Sequence, residues 1–589
     1  MCGICFICGF SEDDILNHVS ASCMLIERRG PDCYQKKELK INGLCAVFQA
    51  SVLWLQGSEP SPQPFSDEHE NILLWNGDIL AGHEVPGNDS DTKYVSDSLA
   101  SKNEEEIISF MSEIKGPWSF IYYMHRTRKL YFGRDVFGRH SLLWKLPSDS
   151  ERIFMLTSVY ERDIFVKEIP ALGIYYVDLD TSIVSANFCV NLIPWSHISD
   201  ESLLQIDPCI QSVQKRILSP VKNSLNMSIP SEDTLKLFNS LPSTLDESCE
   251  KVLYSLMSSE IDNVTSALKC SLQRRIDKSP PRCKNCTKAT STCSHSKVAV
   301  MFSGGLDSAV IALLADSCLM SSESIDLLNV AFPQKTKIQG NDRHKMNKSV
   351  NAVLEEDNLE LADYEVPDRL TGRECWRQLQ EIRPERNWNF VEINVTSEKL
   401  ARERDTTICH LVAPLQSVLD DSIGCALWFG GHGQGYVMGR QYASTARVIL
   451  CGMGADEQLC GYSRHRGRYK AGGWPALLEE INMEISRIHT RNLGRDNRIL
   501  ADHGRAPRFP YLDEDVVATL NALPIWMKAN LNMGRGMGEK LILRVAASHL
   551  GLTAAARYPK RAIQFGSRIA KLENSKEKGS DSCSRLIDV

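Results

Sequence analysis

Cys2 stands directly behind the initiator methionine, and a small residue at position 2 predicts removal of Met1. A terminal cysteine carries nucleophile and base together, because an α-amino group with a pKa of about 8 can accept the thiol proton. A second stretch, Ser303-Gly304-Gly305-Leu306-Asp307-Ser308, points to different chemistry. It follows the apolar run Val298 to Phe302 and opens the helix-like run Ala309 to Leu314. A buried strand, a glycine turn and the free N–H groups of a helix start thus stand in the order that holds an anion. Ser303 and Ser308 add hydroxyl donors. No G-x-x-x-x-G-K-[ST] occurs, which removes a Walker-type reading. For the hexapeptide alone, a plain strand-turn-helix stays open.

Cysteines also raise the question of metal. Cys2, Cys5 and Cys8 repeat every third residue along a predicted strand, which scatters them over both faces and argues against a shared ion. Cys283-x-x-Cys286 followed by Cys293 and His295 offers a full tetrahedral set for zinc. The Cys-x-His pair is tighter than usual for such sites, so a polar linker that happens to carry cysteines is the preferred reading.

The elements that must position these residues change character along the chain. Up to about 190, short apolar runs alternate with polar punctuation: Ile4 to Phe10, Leu44 to Phe48, Ile72 to Trp75, Trp118 to Tyr123, Leu130 to Phe132 and Ile153 to Leu156. These predict antiparallel strands, with helices at Asp14 to Arg28 and Glu104 to Ile114. From about 195 to 296 the composition shifts toward Ser, Pro, Asp and Lys around one long helical stretch, Leu245 to Ile276. From 297, strand-like runs (Val298 to Phe302, Leu327 to Phe332, Ala446 to Cys451) alternate with helical ones, as in a doubly wound parallel sheet whose ligands sit beyond the strand carboxyl ends. Gly430-Gly431-His432-Gly433-Gln434-Gly435 reads as a flexible loop, with a lid as the alternative.

The chain has 589 residues, 20 cysteines and a formal charge of −7. That charge argues against a nucleic-acid partner held mainly by electrostatics. No apolar run approaches the roughly 18 residues that cross a bilayer, and no secretory n-region and h-region open the sequence. A cytoplasmic protein is expected, with the nucleus left open, and its cysteines are expected to be reduced.

Further clusters follow in order. Arg29-Gly30-Pro31-Asp32, Trp75-Asn76-Gly77-Asp78, Ser90-Asp91 and Gly133-Arg134-Asp135 trail Cys2 at intervals that resemble the class II glutamine amidotransferases. The glycine turn resembles the pyrophosphate loop of ATP pyrophosphatases. Gly452-Met453-Gly454-Ala455-Asp456-Glu457, Arg508-Phe509-Pro510-Tyr511-Leu512-Asp513, Gly538-Glu539-Lys540 and Tyr558-Pro559-Lys560-Arg561 extend the likeness. The whole order resembles glutamine-hydrolysing asparagine synthetases. That resemblance implies an N-terminal αββα Ntn-type amidotransferase domain over 2–190, a connecting insertion over 191–296, a doubly wound parallel α/β synthetase domain over 297–573 and a disordered tail over 574–589. It leaves a homodimer open.

The resemblance also implies roles. Cys2 would attack glutamine, with Asn76 and Gly77 as oxyanion donors, since developing charge needs fixed dipoles. Asp78, in place of the usual glutamate, and Asp91 would bind glutamine. Ser303, Gly304, Gly305, Leu306, Asp307, Ser308, Val330, Gly452 and Lys560 would bind ATP and its pyrophosphate, Lys540 would assist, and Asp307 and Asp456 would ligate Mg2+. Aspartate or another small carboxylate would be adenylated and then aminated.

Two departures weigh against this scheme. Ser51 stands where the resemblance places the arginine for the glutamine α-carboxylate, a loss of about 1.5–3 kcal/mol of charge-assisted hydrogen bonding. Met453 replaces a glutamate of the synthetase motif, and a missing general base typically costs about 10²–10⁴ in rate. The alternatives are an impaired enzyme that serves as a nucleotide- or protein-binding module, and an AMP-forming ligase with another carboxylate.

Overall fold

Every residue from Gly3 to Gly9 is buried, because this strand lies between two different layers. On one face Cys5 and Ile7 pack with Ile15, Val19 and Ile26 of the helix α1 (Glu12–Arg29). On the other, Ile4, Phe6 and Cys8 meet Phe48, Ile72, Leu74, Ile121 and Phe132. Cys5 and Cys8 therefore point opposite ways, as their spacing predicts.

The computed structural model describes residues 2–87, 89–148, 151–180, 189–203, 206–241, 247–279, 282–286, 293, 295–334, 364–572 and 578–587. The strands in chain order are β1 (Gly3–Gly9), β2 (Cys33–Ile41), β3 (Leu44–Val52), β4 (Phe65–Ser66), β5 (Ile72–Gly77), β6 (Trp118–Met124), β7 (Lys129–Arg134), β8 (Leu143–Lys145), β9 (Ile153–Thr157), β10 (Val166–Glu168), β11 (Gly173–Asp178), β12 (Val190–Pro194) and β13 (Ile210–Ser212). They form two stacked sheets, ordered β10-β8-β9-β1-β3-β2 and β13-β12-β11-β7-β6-β5-β4. The outer face of the second is covered by α2 (Asp91–Ala100) and α3 (Glu104–Glu113), through Val95, Leu99, Ile107 and Met111 against Leu73, Trp75, Phe120 and Tyr122. Helix, sheet, sheet and helix make four layers.

The third sheet comprises β14 (Val298–Met301), β15 (Ile325–Ala331), β16 (Trp388–Asn394), β17 (Gln434–Val437), β18 (Arg440–Ala443), β19 (Val448–Leu450) and β20 (Ala506–Arg508). Its order is β18-β17-β16-β15-β14-β19-β20, parallel from β16 to β20 with an antiparallel hairpin at one edge. The chain runs outward from β14 through β15 and β16, then restarts on the other side at β19. A crevice opens at such a reversal because the flanking connections leave in opposite directions. Alternate residues serve opposite faces: Val298, Val300, Leu327 and Leu450 pack with the helices Glu247–Asp277 and Leu306–Asp316, while Ala299, Leu328, Val330 and Ile449 pack with the helix Val418–His432.

The structure corrects three expectations. First, 191–296 is not a separate insertion: the boundary cuts through β12, β13 extends the second sheet, and Leu253, Val264, Leu268 and Leu272 of the helix Glu247–Asp277 join the core beneath β14. The parts of this stretch at 204–205, 242–246, 280–281, 287–292 and 294 lie outside the described residues. Second, 430–435 is a helix end and a strand rather than a loop. Cβ atoms at Gly430 and Gly431 would approach Met301 and Leu500 to 2.4 and 2.9 Å, and Gly433 closes the helix at φ +70°. Third, residues 578–587 of the expected disordered tail are docked, with Cys583 and Leu586 buried and Asp581 O accepting from Val418 N at 3.0 Å. Residues 574–577, 588 and 589 lie outside the described residues, as does Met1.

All twenty cysteines are free thiols. Among the described residues no helix is long and apolar enough to cross a membrane.

Candidate functional site

The glycine turn follows β14 at its carboxyl end. Gly304 has φ +72°, and a Cβ there would lie 2.3 Å from Thr371 O, so neither the backbone nor the space admits another residue. Thr371 Oγ1 donates to Ser303 O at 2.8 Å, Gly305 N donates to Ser303 Oγ at 3.2 Å, and Ser308 Oγ donates to Gly305 O at 3.0 Å. Gly305 caps the helix Leu306–Asp316 without a side-chain hydrogen bond, leaving first-turn N–H groups free for an anion. A 270 Å³ cavity opens over this turn, near the lower end of the roughly 300–1,000 Å³ of small-molecule clefts. Ser303, Gly305, Leu306, Asp307, Ser308, Val330, Gly452 and Lys560 all line it. Gly304 instead backs onto Thr371.

Four charges converge at the rim. Lys540 Nζ lies 2.6 Å from Asp307 Oδ2 and 2.7 Å from Asp456 Oδ1, and Lys560 Nζ lies 2.5 Å from Asp456 Oδ2. Lys540 is a buried bridge between two carboxylates. Burial pushes Asp456 up, yet Lys540 and Lys560 together hold it well below the usual carboxylate range. Burial alone would lower Lys560, and Asp456 reverses that, keeping it charged. Asp307 Oδ1 is buried and has no hydrogen-bond partner among the described residues. Two carboxylates facing one cleft, one with an orphaned oxygen, are a donor set that fits a hard cation such as magnesium.

Sequence reasoning missed other lining residues. Asp368 is pushed up to about 7 by burial, and Tyr462 Oη donates to Glu457 Oε1 at 2.5 Å. Neither stands in a recognisable spacing; only the fold brings them in. Met453 and Glu457 face the same cavity, and Glu457 is pushed up by burial and by Asp456.

Cys2, Gly77, Asp78, Asp91 and His140 line a second cavity, whereas Asn76 is fully buried and outside its lining. Its volume of 30 Å³ holds about two waters, too little for an amino acid. Burial raises the Cys2 thiol. Asn76 Nδ2 donates to Ser119 Oγ at 3.3 Å, while His140 Nδ1 lies 2.7 Å from Asn76 O. Asp91 accepts from Trp75 Nε1 at 3.0 Å and is pushed up to about 7 by burial and by Asp78. Asp78 is paired with Arg508 Nη2 at 3.1 Å, both side chains being buried. Ser51 Oγ donates to Gly30 O at 2.5 Å, and it brings no positive charge.

Arg508 ends β20, and Tyr511, three residues on, donates from Oη to Asp307 O at 3.3 Å. One short segment thus contacts a lining residue of each cavity. Other residues of the amidotransferase-like clusters hold the two halves together. Asp32 takes Arg447 Nη1 at 2.9 Å, Asp135 takes Arg139 Nε at 2.9 Å, and Arg139 reaches Glu514 at 2.5 Å and Leu512 O at 2.7 Å. Far from either cavity, the ligand atoms of Cys283, Cys286, Cys293 and His295 all lie within 4.8 Å of one another.

A four-layer sheet sandwich with a cysteine at a small cavity, joined to a largely parallel sheet with a glycine turn at the carboxyl end of β14, places the chain among mixed α/β proteins with a synthetase-type segment. The family model described as asparagine synthase matches residues 466–577, which include Lys540 and Lys560. The chain is 44% identical to the mouse asparagine synthetase domain-containing protein 1, over 100% of this chain and 99% of that one. It is 42% identical to the human protein of the same name, over 100% and 98%. A solved glutamine phosphoribosylpyrophosphate amidotransferase from B. subtilis is similar over 60% of this chain and 70% of its own, at 13% identity and a TM-score of 0.26, a level that carries no argument. The chain belongs to the asparagine synthetase domain-containing protein family.

Proposed function

We propose that the chain activates a carboxylate with ATP, releasing pyrophosphate, and passes the acyl group to nitrogen, in a reaction resembling asparagine synthesis from aspartate. The observation that carries this reading is the convergence of the glycine turn, Asp307, Asp456, Lys540 and Lys560 on one cavity. The N–H groups after Gly305 would hold the departing diphosphate, and Lys560 and Lys540 would neutralise charge as it builds on the bridging oxygen. Asp307 and Asp456 would hold magnesium, which supplies further charge neutralisation when bound. Glutamine would supply nitrogen through Cys2, with Gly77 at the cavity wall as an oxyanion donor; Asn76 would join it only by releasing Ser119 Oγ. The doubly wound reading of the third sheet and a cytoplasmic location belong to the same proposal.

Purified protein with ATP, magnesium and a panel of carboxylates led by aspartate is expected to release pyrophosphate, and Lys560→Ala to lower that release by about 10²–10³. Release no higher than that of Lys560→Ala on every carboxylate overturns the reading.

A second reading has its own observation. The 30 Å³ cavity, the Asp78–Arg508 pair and Ser51 together favour a chain that binds nucleotide without hydrolysing glutamine. Equal glutamate release from the wild type and Cys2→Ala selects this reading; a fall to background in Cys2→Ala selects the first.

A further inference from the structure

We propose that Cys283, Cys286, Cys293 and His295 hold a structural zinc ion that fastens the chain ahead of β14 to the amino-terminal end of the third sheet. The spacing of the donors carries the argument. Cys283 Sγ and Cys286 Sγ lie 3.6 and 3.5 Å from the same atom, His295 Nδ1. Zinc bound tetrahedrally at about 2.3 Å from sulfur and about 2.0–2.1 Å from nitrogen places sulfur and nitrogen about 3.6 Å apart. One ring nitrogen has one in-plane lone pair and cannot accept well from two thiols at once. An ion between the three atoms makes the two equal separations natural.

The surroundings suit a closed, non-catalytic site. The four residues supply all four positions of a tetrahedron, leaving none open for substrate. Cys283 is buried while His295 is exposed, which gives the ion a route from solvent. Cys283 N donates to Cys293 Sγ at 3.2 Å, and Cys286 N to Cys283 O at 3.2 Å, so the backbone is already curled around the centre. Binding would displace the thiol protons to solvent, each sulfur becoming a thiolate ligand.

The knuckle is docked. Lys284 N donates to Thr445 O at 3.0 Å and Lys284 Nζ to His503 O at 3.2 Å, while Thr445 Oγ1 donates to Ser296 O at 3.0 Å. Thr445 precedes β19 and His503 precedes β20, so the ion would tie the entries of three strands at the end remote from the 270 Å³ cavity. Its loss would loosen the sheet from below without removing any residue of that cavity.

The test uses the full chain expressed with added zinc. Elemental analysis is expected to give about one zinc per chain, falling to background in Cys283→Ser/Cys286→Ser and unchanged in the control Cys318→Ser. Because the double variant can fail to fold, His295→Ala serves as the milder change; chelator competition should show zinc held at least about tenfold more weakly. Cobalt exchanged into the wild type should give the intense visible bands of tetrahedral thiolate coordination. Folded wild type holding under about 0.1 zinc per chain, zinc retained unchanged in both variants, or an intact mass two hydrogens light with a Cys283–Cys286 disulfide would each overturn the proposal.

Discussion

Asp78 and Asp91 line the same small cavity yet carry opposite electrostatic fates. Burial pushes Asp78 up, but Arg508 leads the neighbours that more than reverse this and hold it below its ordinary value; Asp91, with no paired cation, is pushed up to about 7 by burial and by Asp78. The unfolded Asp91 ionises near pH 4 while the folded one keeps its proton, so its contribution to stability declines as pH rises from about 4 to 7. Asp91→Asn removes that decline, which urea denaturation across this range will show as a flatter profile than the wild type. The Asp78–Arg508 pair predicts a second outcome. Arg508→Met strands a buried carboxylate and should cost about 3–5 kcal/mol, whereas Asp78→Asn combined with it should recover part of the loss. Ser51, Met453 and both lysines were legible as residues, since each stands at a fixed offset in a motif. Asp368 and Tyr462 were not, because burial at a shared cavity leaves no trace in spacing.

At the scale of elements, the turn between β14 and its helix is the most constrained piece. Gly304→Ala adds a Cβ 2.3 Å from Thr371 O at a φ that disfavours side chains. Isothermal titration with ATP should show binding weakened at least about tenfold, with a melting temperature lowered by several degrees. The turn, β1, β3, β5, β6, β7 and β9 were readable because apolar runs bounded by polar residues are what buried strands require. β2 was not: it is an edge strand whose lysines fall on both faces, Lys36 and Lys40 exposed on one and Lys37 half-buried on the other, so no apolar run marks it, and such lysines discourage pairing with another chain. The docked carboxyl terminus escaped notice for a related reason. Two apolar side chains, Cys583 and Leu586, suffice to seat it when Asp581 and Gly579 carbonyls receive the first N–H groups of the helix Val418–His432. Deleting 578–589 should lower stability by about 2–4 kcal/mol in urea titrations.

The whole molecule is held by guanidinium groups reaching across from one half to the other. Arg139, Arg447, Arg498 and Arg508 are each buried against acceptors contributed by the opposite half. Clusters such as Gly133-Arg134-Asp135 carried a family likeness from their order alone, and the fold shows Arg134 and Asp135 as struts: Arg134 Nη1 donates to Ile169 O at 2.8 Å, and Asp135 Oδ1 accepts from Arg139 Nε. Order in a chain cannot distinguish a strut from a reactive group, because both demand an invariant polar partner at a set place.

The helix Glu247–Asp277 gives this architecture a practical edge. A fragment begun at Lys297 keeps every strand of the parallel sheet but sheds the rod that Leu253, Ile261, Leu268 and Leu272 press onto Val300, Leu313 and Leu543. Such a truncated half would carry an oily trench along its flank and clump on release from the ribosome, whereas one begun at Glu247 would leave that trench roofed. Anyone wishing to dissect the molecule should cut upstream of residue 247, where the chemistry of the pieces can still be read.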